Sequence, residues 1–296
     1  MNLTSEFKQS VLSALLEARK NFDGSDNVFA NQYKINNSVF SRLKNGQMDG
    51  LLKDAQWLTI GRMLDVSLNK RKWNVARTDV FTQIEEDIVY CKEKSMAKIL
   101  VDECGIGKTF TARYLSRTLK NCFYMDASQA KTKREFIKLF ARTLGVDDSG
   151  RYAEILSNIK YYLHVLPQPV VIIDEAGDLD YPAFLEIKEL WNATENVCGW
   201  YMMGADGLGA KIERGISNRK VGFKEIFSRF GEKCLDIVPA ERSEKLNFYK
   251  KLILDVLNAN CSDKDIINTI VKKCLVQQNG NIGGLRRAES LLILSK

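Results

Sequence analysis

Histidine is nearly absent: the 296 residues contain one, His164. That excludes a centre built from several histidine ligands. A Ser-His triad would rest on a residue that reads as a helix-surface or packing histidine. The seven cysteines (91, 104, 122, 198, 234, 261 and 274) are odd in number and contain no C-x-x-C pair, which reads as reduced thiols rather than a disulfide or zinc framework. No apolar run reaches the ~18 residues of a membrane span, and the opening stretch "MNLTSEFKQS" lacks the apolar core of a signal peptide. A cytoplasmic protein without a membrane partner is expected. Internal repeats and low-complexity tracts are also missing.

What is there is an ordinary globular composition, 45% hydrophobic and 27% charged, over a length that suits two or three domains. The formal charge of +7 is unevenly placed. Residues 1–77 carry 12 Lys/Arg against 7 Asp/Glu, and the remaining 219 residues carry 32 against 30. Most of the excess therefore lies in the first quarter, which points to a polyanion partner there, with a merely solvated basic face as the alternative.

The pattern divides the chain into three parts. Residues 1–75 show short amphipathic segments: Phe7, Val11, Leu12, Leu15 and Leu16 at helical spacing, a short helix through Ala30, and a turn at "INN". Asn36 or Asn37 can cap a following helix, Ser38–Lys44, which stops at Asn45-Gly46. A further amphipathic stretch, "LLKDAQWLTIGRMLDVSL", follows. A tight turn before a basic helix is a helix-turn-helix pattern, and the stretch resembles the small helical domain of lambda-repressor-like proteins; a bundle without DNA contact remains the alternative. "NKRKWNVARTD" (69–79) is a basic connection, a linker or a DNA-touching arm. Residues 76–239 then alternate strand-like runs (96–103, 122–128, 169–176, 199–206, 233–239) with amphipathic segments (131–145, 152–165, 182–196). That predicts an α/β fold with a parallel sheet. Residues 240–296 show helical periodicity alone, at 241–258, 263–277 and 284–295.

The chemistry begins at "DECGIGKT", residues 102–109. A phosphate-binding loop needs successive backbone N–H groups turned inward, then a helix N-terminus aimed at the anion. Cys104, Gly105, Ile106, Gly107, Lys108, Thr109 and Phe110 form the expected cradle, with Lys108 on the β- and γ-phosphates and the Thr109 hydroxyl on Mg²⁺. The pattern G-x-x-x-x-G-K-[ST] asks for glycine where this chain has Asp102. That position eases the chain out of the strand, so an aspartate is expected to be tolerated at some cost in backbone freedom. "PVVIIDEA" ends an apolar run in Asp174-Glu175, with Asp174 65 residues beyond Thr109. Asp174 would hold Mg²⁺ and Glu175 would polarise a water for attack. No N-K-x-D guanine reader follows, so ATP is the expected nucleotide.

"FKEIFSRFGEK" places Arg229 before the last strand, and "GNIGGLRRAESLL" places Arg286 in the terminal helical region. This arrangement resembles the AAA+ superfamily. The resemblance implies that Arg229 reaches the γ-phosphate of a neighbouring subunit and that Arg286 touches it from a helical lid. Arg214 and Arg219 are rival fingers. Asp206 occupies the position where the superfamily usually has a polar sensor, though a carboxylate there would repel phosphate.

Over nearly the whole chain, the domain order and the motifs "VDECGIGKT" and "VIIDEAGDL" resemble the phage Mu B family of transposition ATPases. That implies ATP-dependent self-association into a helical filament or ring on double-stranded DNA, with little sequence preference. It also implies selection of target DNA and stimulation of a DDE-type transposase. Candidate DNA contacts are Lys131, Lys133 and Arg134 after the second strand, and Ser38, Ser41, Arg42 and Lys44 on the presumed recognition helix. The stretch 211–224, read as a loop, and Lys188 are further basic candidates. A helicase loader and an ATP-switched DNA-binding regulator are the alternative readings.

Overall fold

Strands covered on both faces must be apolar nearly throughout, and the third and fourth strands here, "VVIID" and "GWYMMG", are buried at every position. The computed structural model describes residues 3–22, 24–64, 66–68, 73–276 and 282–295. Residues 69–72 of the basic connection, 277 of the expected helix 263–277, and 280–281 of "GNIGG" lie outside the described residues. The strands are β1 (Ala97–Val101), β2 (Cys122–Asp126), β3 (Val170–Asp174), β4 (Gly199–Gly204) and β5 (Cys234–Leu235). They form one parallel sheet in the order β2-β3-β4-β1-β5, the α/β architecture the alternation predicts.

Side chains two apart share a face, and the two cores follow that rule. Ile99, Val171, Ile173, Trp200 and Met202 point into one core. It is shared with α7 (Lys133–Leu144), α8 (Tyr152–Val165), α9 (Tyr181–Ala193), α10 (Asp206–Ser217) and α11 (Phe223–Arg229). Leu100, Val170, Ile172, Tyr201 and Met203 point into the other, against α5 (Asp79–Lys94) and α6 (Lys108–Thr118). Each fully buried Leu or Ile contributes about 1.5–3 kcal/mol. The pattern reading has no helix where α5 lies, although Val80, Phe81, Ile84, Ile88 and Cys91 are buried along it. Thr78 caps it by accepting the Phe81 amide.

The expected strand 233–239 forms over two residues only. Beyond Leu235 the amides of Ile237 and Val238 donate to the Asp102 carboxylate instead of to a ladder. The stretch 211–224 is a second correction: it is the rest of α10, a turn, and the start of α11, rather than a loop. Its buried Ile212 and Phe223 hold it against the first core.

The N-terminal region is all helical: α1 (Ser5–Lys20), α2 (Asp26–Gln32), α3 (Asn37–Lys44) and α4 (Asp54–Met63). They enclose a core of Val11, Leu15, Phe29, Phe40, Leu43 and Trp57. Asn36, rather than Asn37, caps α3. This domain touches the sheet domain through Gln32, whose amide donates to Leu144 O and to Tyr162 Oη, both at 3.1 Å. The lid consists of α12 (Arg242–Asn260), α13 (Lys264–Leu275) and α14 (Leu285–Leu294) with its own core. Trp73, expected within the first domain, packs on the lid and donates to Glu289. Among the described residues no helix is long and apolar enough to cross a membrane.

Candidate functional site

β1 lies inside the sheet with β4 and β5 beside it, and its C-terminal end opens into residues 102–107. That is where a parallel α/β sheet offers a crevice for ligands. Gly105 and Gly107 have φ of +79° and +106°, a region side chains disfavour, and Gly107 is the N-cap of α6. The backbone turn that exposes amides at the helix N-terminus thus depends on those two residues. Cys104 and Phe110 are exposed, and Ile106 is buried as an anchor.

Lys108 opens α6 and is almost wholly buried. Its ammonium donates to the carbonyls of Asp102 and Glu103 at 2.6 and 2.7 Å, so it lies folded over the loop. Burial lowers its pKa from the ordinary range, opposed by Asp102 and other nearby acids. Thr109 Oγ1 donates to Asp174 Oδ2 at 2.7 Å, joining the two motifs directly. Burial raises the Asp174 carboxyl, while hydrogen bonds from Thr109, Tyr124 and the Glu175 amide pull it back. Glu175 is raised by burial and then by Asp174. It sits at φ +51°, a strained position for a non-glycine residue. Lys211 holds the segment after it by donating to the carbonyls of Gly177 and Leu179.

A hydroxyl and a carboxylate are hard oxygen donors that suit Mg²⁺. Among the described residues no group of three or more His, Cys, Asp or Glu could hold a metal ion. A cation at Thr109 and Asp174 would complete its shell with phosphate oxygens and water, as Mg²⁺ does in nucleotide sites.

Asp102 differs from the expectation. It has no positive φ, so its cost in backbone freedom is small, and its carboxylate has partners. Oδ1 accepts the Glu103 amide at 2.7 Å, and Oδ2 accepts those of Ile237 and Val238 at 2.6 and 3.1 Å. The next residue, Glu103, binds Lys245 and accepts from Tyr249 Oη at 2.6 Å, both on α12. The Gly105 carbonyl accepts the Leu285 amide at 2.9 Å. The phosphate loop is therefore bonded to the lid, and Arg286 is one residue beyond that contact. Asp206 is the first residue of α10 and is exposed.

Arg229 is held within its own chain. Nε donates to Asn192 Oδ1 at 2.6 Å, Nη1 to the Glu225 carbonyl at 2.8 Å, and the guanidinium lies 5.4 Å from the Trp191 ring centroid. With Arg219, Lys220 and Lys224 it lines a shallow cleft between α10 and α11; Arg214 is exposed on α10.

The basic candidates separate by their partners. Lys131 pairs with Asp178 at 3.2 Å, and Lys133 pairs with the buried Glu186 at 2.6 Å; Arg134 is exposed. Lys188 pairs with Glu225 at 3.3 Å. On α3, Lys44 pairs with Asp26, Arg42 Nε donates to Gln47, Ser38 Oγ donates to Asn36, and Ser41 is exposed.

Two residues near Asp174 escape the pattern reading. Asp126 lies opposite Asp174 in register, and a strand ending in aspartate is visible in "CFYMDAS". Tyr124 donates its hydroxyl to Asp174 Oδ2 at 2.9 Å. Burial and the Asp174 charge raise the phenol well above its usual range, so it stays a donor.

Residues 94–209 match the family described as AAA domain. No curated protein matches the chain. Among solved structures the chain is similar to NtrX from Brucella abortus, crystallised in complex with ATP. The identity is 16% and the TM-score 0.44, over 86% of this chain and 60% of that one. At that level the likeness carries no argument about activity. Residues 94–209, less than half of the chain, are thus similar to an AAA domain, and they hold β1 to β4 of the parallel sheet together with this loop.

Proposed function

We propose that the protein is an ATPase whose nucleotide state governs its assembly on duplex DNA. The observation that carries the enzymatic half is the Thr109–Asp174 bond at 2.7 Å, which brings the loop and the second motif together beside Lys108 and Glu175. Mg²⁺ supplies charge neutralisation when bound. Lys108 and the amides at the start of α6 would bind the phosphates, Thr109 and Asp174 would hold the cation, and Glu175 would orient the attacking water. Arg286 would sense the γ-phosphate from the lid, whereas Asp206, a carboxylate, would orient water rather than touch the phosphate. Arg229 would leave Asn192 to enter a neighbouring subunit's site.

The DNA half is supported by the basic first quarter of the chain and the resemblance to the phage Mu B family. The exposed cations Arg134, Arg219, Lys220 and Lys224 add to it. Two or three cations per subunit bind weakly, but many subunits along one polyanion multiply the effect. A filament that selects target DNA and hands it to a DDE-type transposase is the reading that unites these features. The test is duplex binding against salt, in ATP and in ADP. Tight, cooperative binding is expected with ATP alone, its affinity falling by about 0.9 log unit per log unit of salt for each phosphate neutralised. Equal affinity in ADP and ATP would leave the helicase-loader reading ahead.

A further inference from the structure

The two oxygens of the Asp174 carboxylate have different surroundings. Oδ2 accepts from Thr109 Oγ1 at 2.7 Å and from Tyr124 Oη at 2.9 Å, whereas Oδ1 accepts the Glu175 amide at 2.9 Å. A carboxylate oxygen accepts about two hydrogen bonds. Two hydroxyls therefore saturate Oδ2, and Oδ1 keeps a lone pair for a further partner. Thr109 has two duties, since its hydroxyl must bond Asp174 while its own lone pair turns to a cation. Tyr124 has one.

We propose that Tyr124 is a positioning residue for the metal-binding aspartate: its hydroxyl, reaching in from the neighbouring strand, fixes the rotation of the Asp174 carboxylate so that Mg²⁺ and its waters meet a preset ligand. The inference rests on the Mg²⁺–ATP reading of the site and deepens it.

The strand geometry explains why a tyrosine is needed. Tyr124 lies opposite Ile172, and Asp126 opposite Asp174. Tyr124 must therefore reach two residues along the sheet, roughly 7 Å, and a serine or threonine there would fall short. The ring is placed by packing rather than by Asp174. It rests against the second core, and the Arg113 guanidinium of α6 lies 5.2 Å from its centroid. A hydroxyl whose position is set by packing imposes a direction on its partner instead of following it. The same helix carries Lys108 and Thr109, so Tyr124 is braced from the element that begins at the phosphate loop.

Tyr124→Phe in the full chain tests this, because it removes one oxygen and keeps the ring. Binding of N-methylanthraniloyl-ATP is followed by fluorescence across a range of free Mg²⁺ and, separately, in EDTA. The expected result is a midpoint in free Mg²⁺ about tenfold higher than wild type, the usual scale for removing a group that orients a metal ligand, with binding in EDTA unchanged. A tyrosine fluorinated beside its hydroxyl, placed at 124, keeps both packing and donor and should hold the midpoint at or below wild type. Coincident midpoints in wild type and Tyr124→Phe overturn the inference, as does an equal loss of affinity with and without Mg²⁺, which marks a packing residue. Failure of the wild-type protein to bind the analogue in either condition removes the nucleotide reading itself, a result distinct from coincident midpoints.

Discussion

The carboxylate of Asp102, at the head of the phosphate loop, accepts the backbone amide of Ile237 at 2.6 Å, across 135 residues of chain. It takes the Val238 amide as well, at 3.1 Å. An acidic side chain thus replaces the rungs that would have lengthened β5, and joins the loop to the segment that leads into the lid. Hydrogen bonds to a charged group contribute about 1.5–3 kcal/mol, more than the backbone freedom a glycine would add. Asp102→Gly restores the usual motif, yet is expected to lower stability by about 2 kcal/mol, read as a fall of several degrees in Tm without nucleotide. Asp102→Asn keeps an acceptor and should lose less. A glycine variant as stable as wild type would remove this account.

Lys108 and Glu175 should separate binding from turnover. Lys108→Ala loses the charge that meets the phosphates, whereas Glu175→Gln keeps the shape of the site and loses the group that polarises water. ATP at a hundredfold excess over Kd stabilises a protein that binds it only when folded by about 2.7 kcal/mol. Thermal melts with and without ATP should show that shift for wild type and Glu175→Gln, and not for Lys108→Ala. An unchanged ATP shift in Lys108→Ala would sink the phosphate-loop assignment.

Arg229 should act across a subunit boundary once released from Asn192 and Trp191. An arginine finger can contribute roughly 10³–10⁵ in turnover. Arg229→Ala and Lys108→Ala proteins are each expected to be inactive alone. Mixed, they should recover part of the ATPase rate, since one interface can then combine an intact loop with an intact finger. Normal hydrolysis by Arg229→Ala would move the finger to Arg214 or Arg219.

Lys133 and Arg134 are adjacent in sequence and differ in surroundings. Lys133 neutralises Glu186, which is 3% exposed, whereas Arg134 is exposed. Stranding a buried carboxylate can cost 3–5 kcal/mol; with Lys133 itself near the surface, about 1–2 kcal/mol is expected. Urea melts should show that loss for Lys133→Ala and almost none for Arg134→Ala. DNA binding should weaken in Arg134→Ala without any change in stability. If Lys133→Ala leaves stability intact and weakens DNA binding, its pair with Glu186 is expendable and Lys133 joins the DNA contacts.

The local pattern was enough for the order of the strands, the glycine turn before α6 and the strand end at Asp174-Glu175, because apolar periodicity, glycines at a turn and a charged strand end are properties of neighbouring residues; it missed α5 and the helical character of 211–224. It was enough also for the end of α3 at Asn45 and for the all-helical lid. What it could not supply were contacts between segments far apart in the chain. Asp102 reads as a defect in a motif until Ile237 is beside it, Tyr124 as one more strand residue until Asp174 is 2.9 Å away, and Lys133 as a free cation until Glu186 is beneath it. The short β5 and the placement of Trp73 on the lid have the same origin. Each is decided by which hydrogen-bond donors and apolar faces the folded chain brings together, and residue spacing holds no record of that.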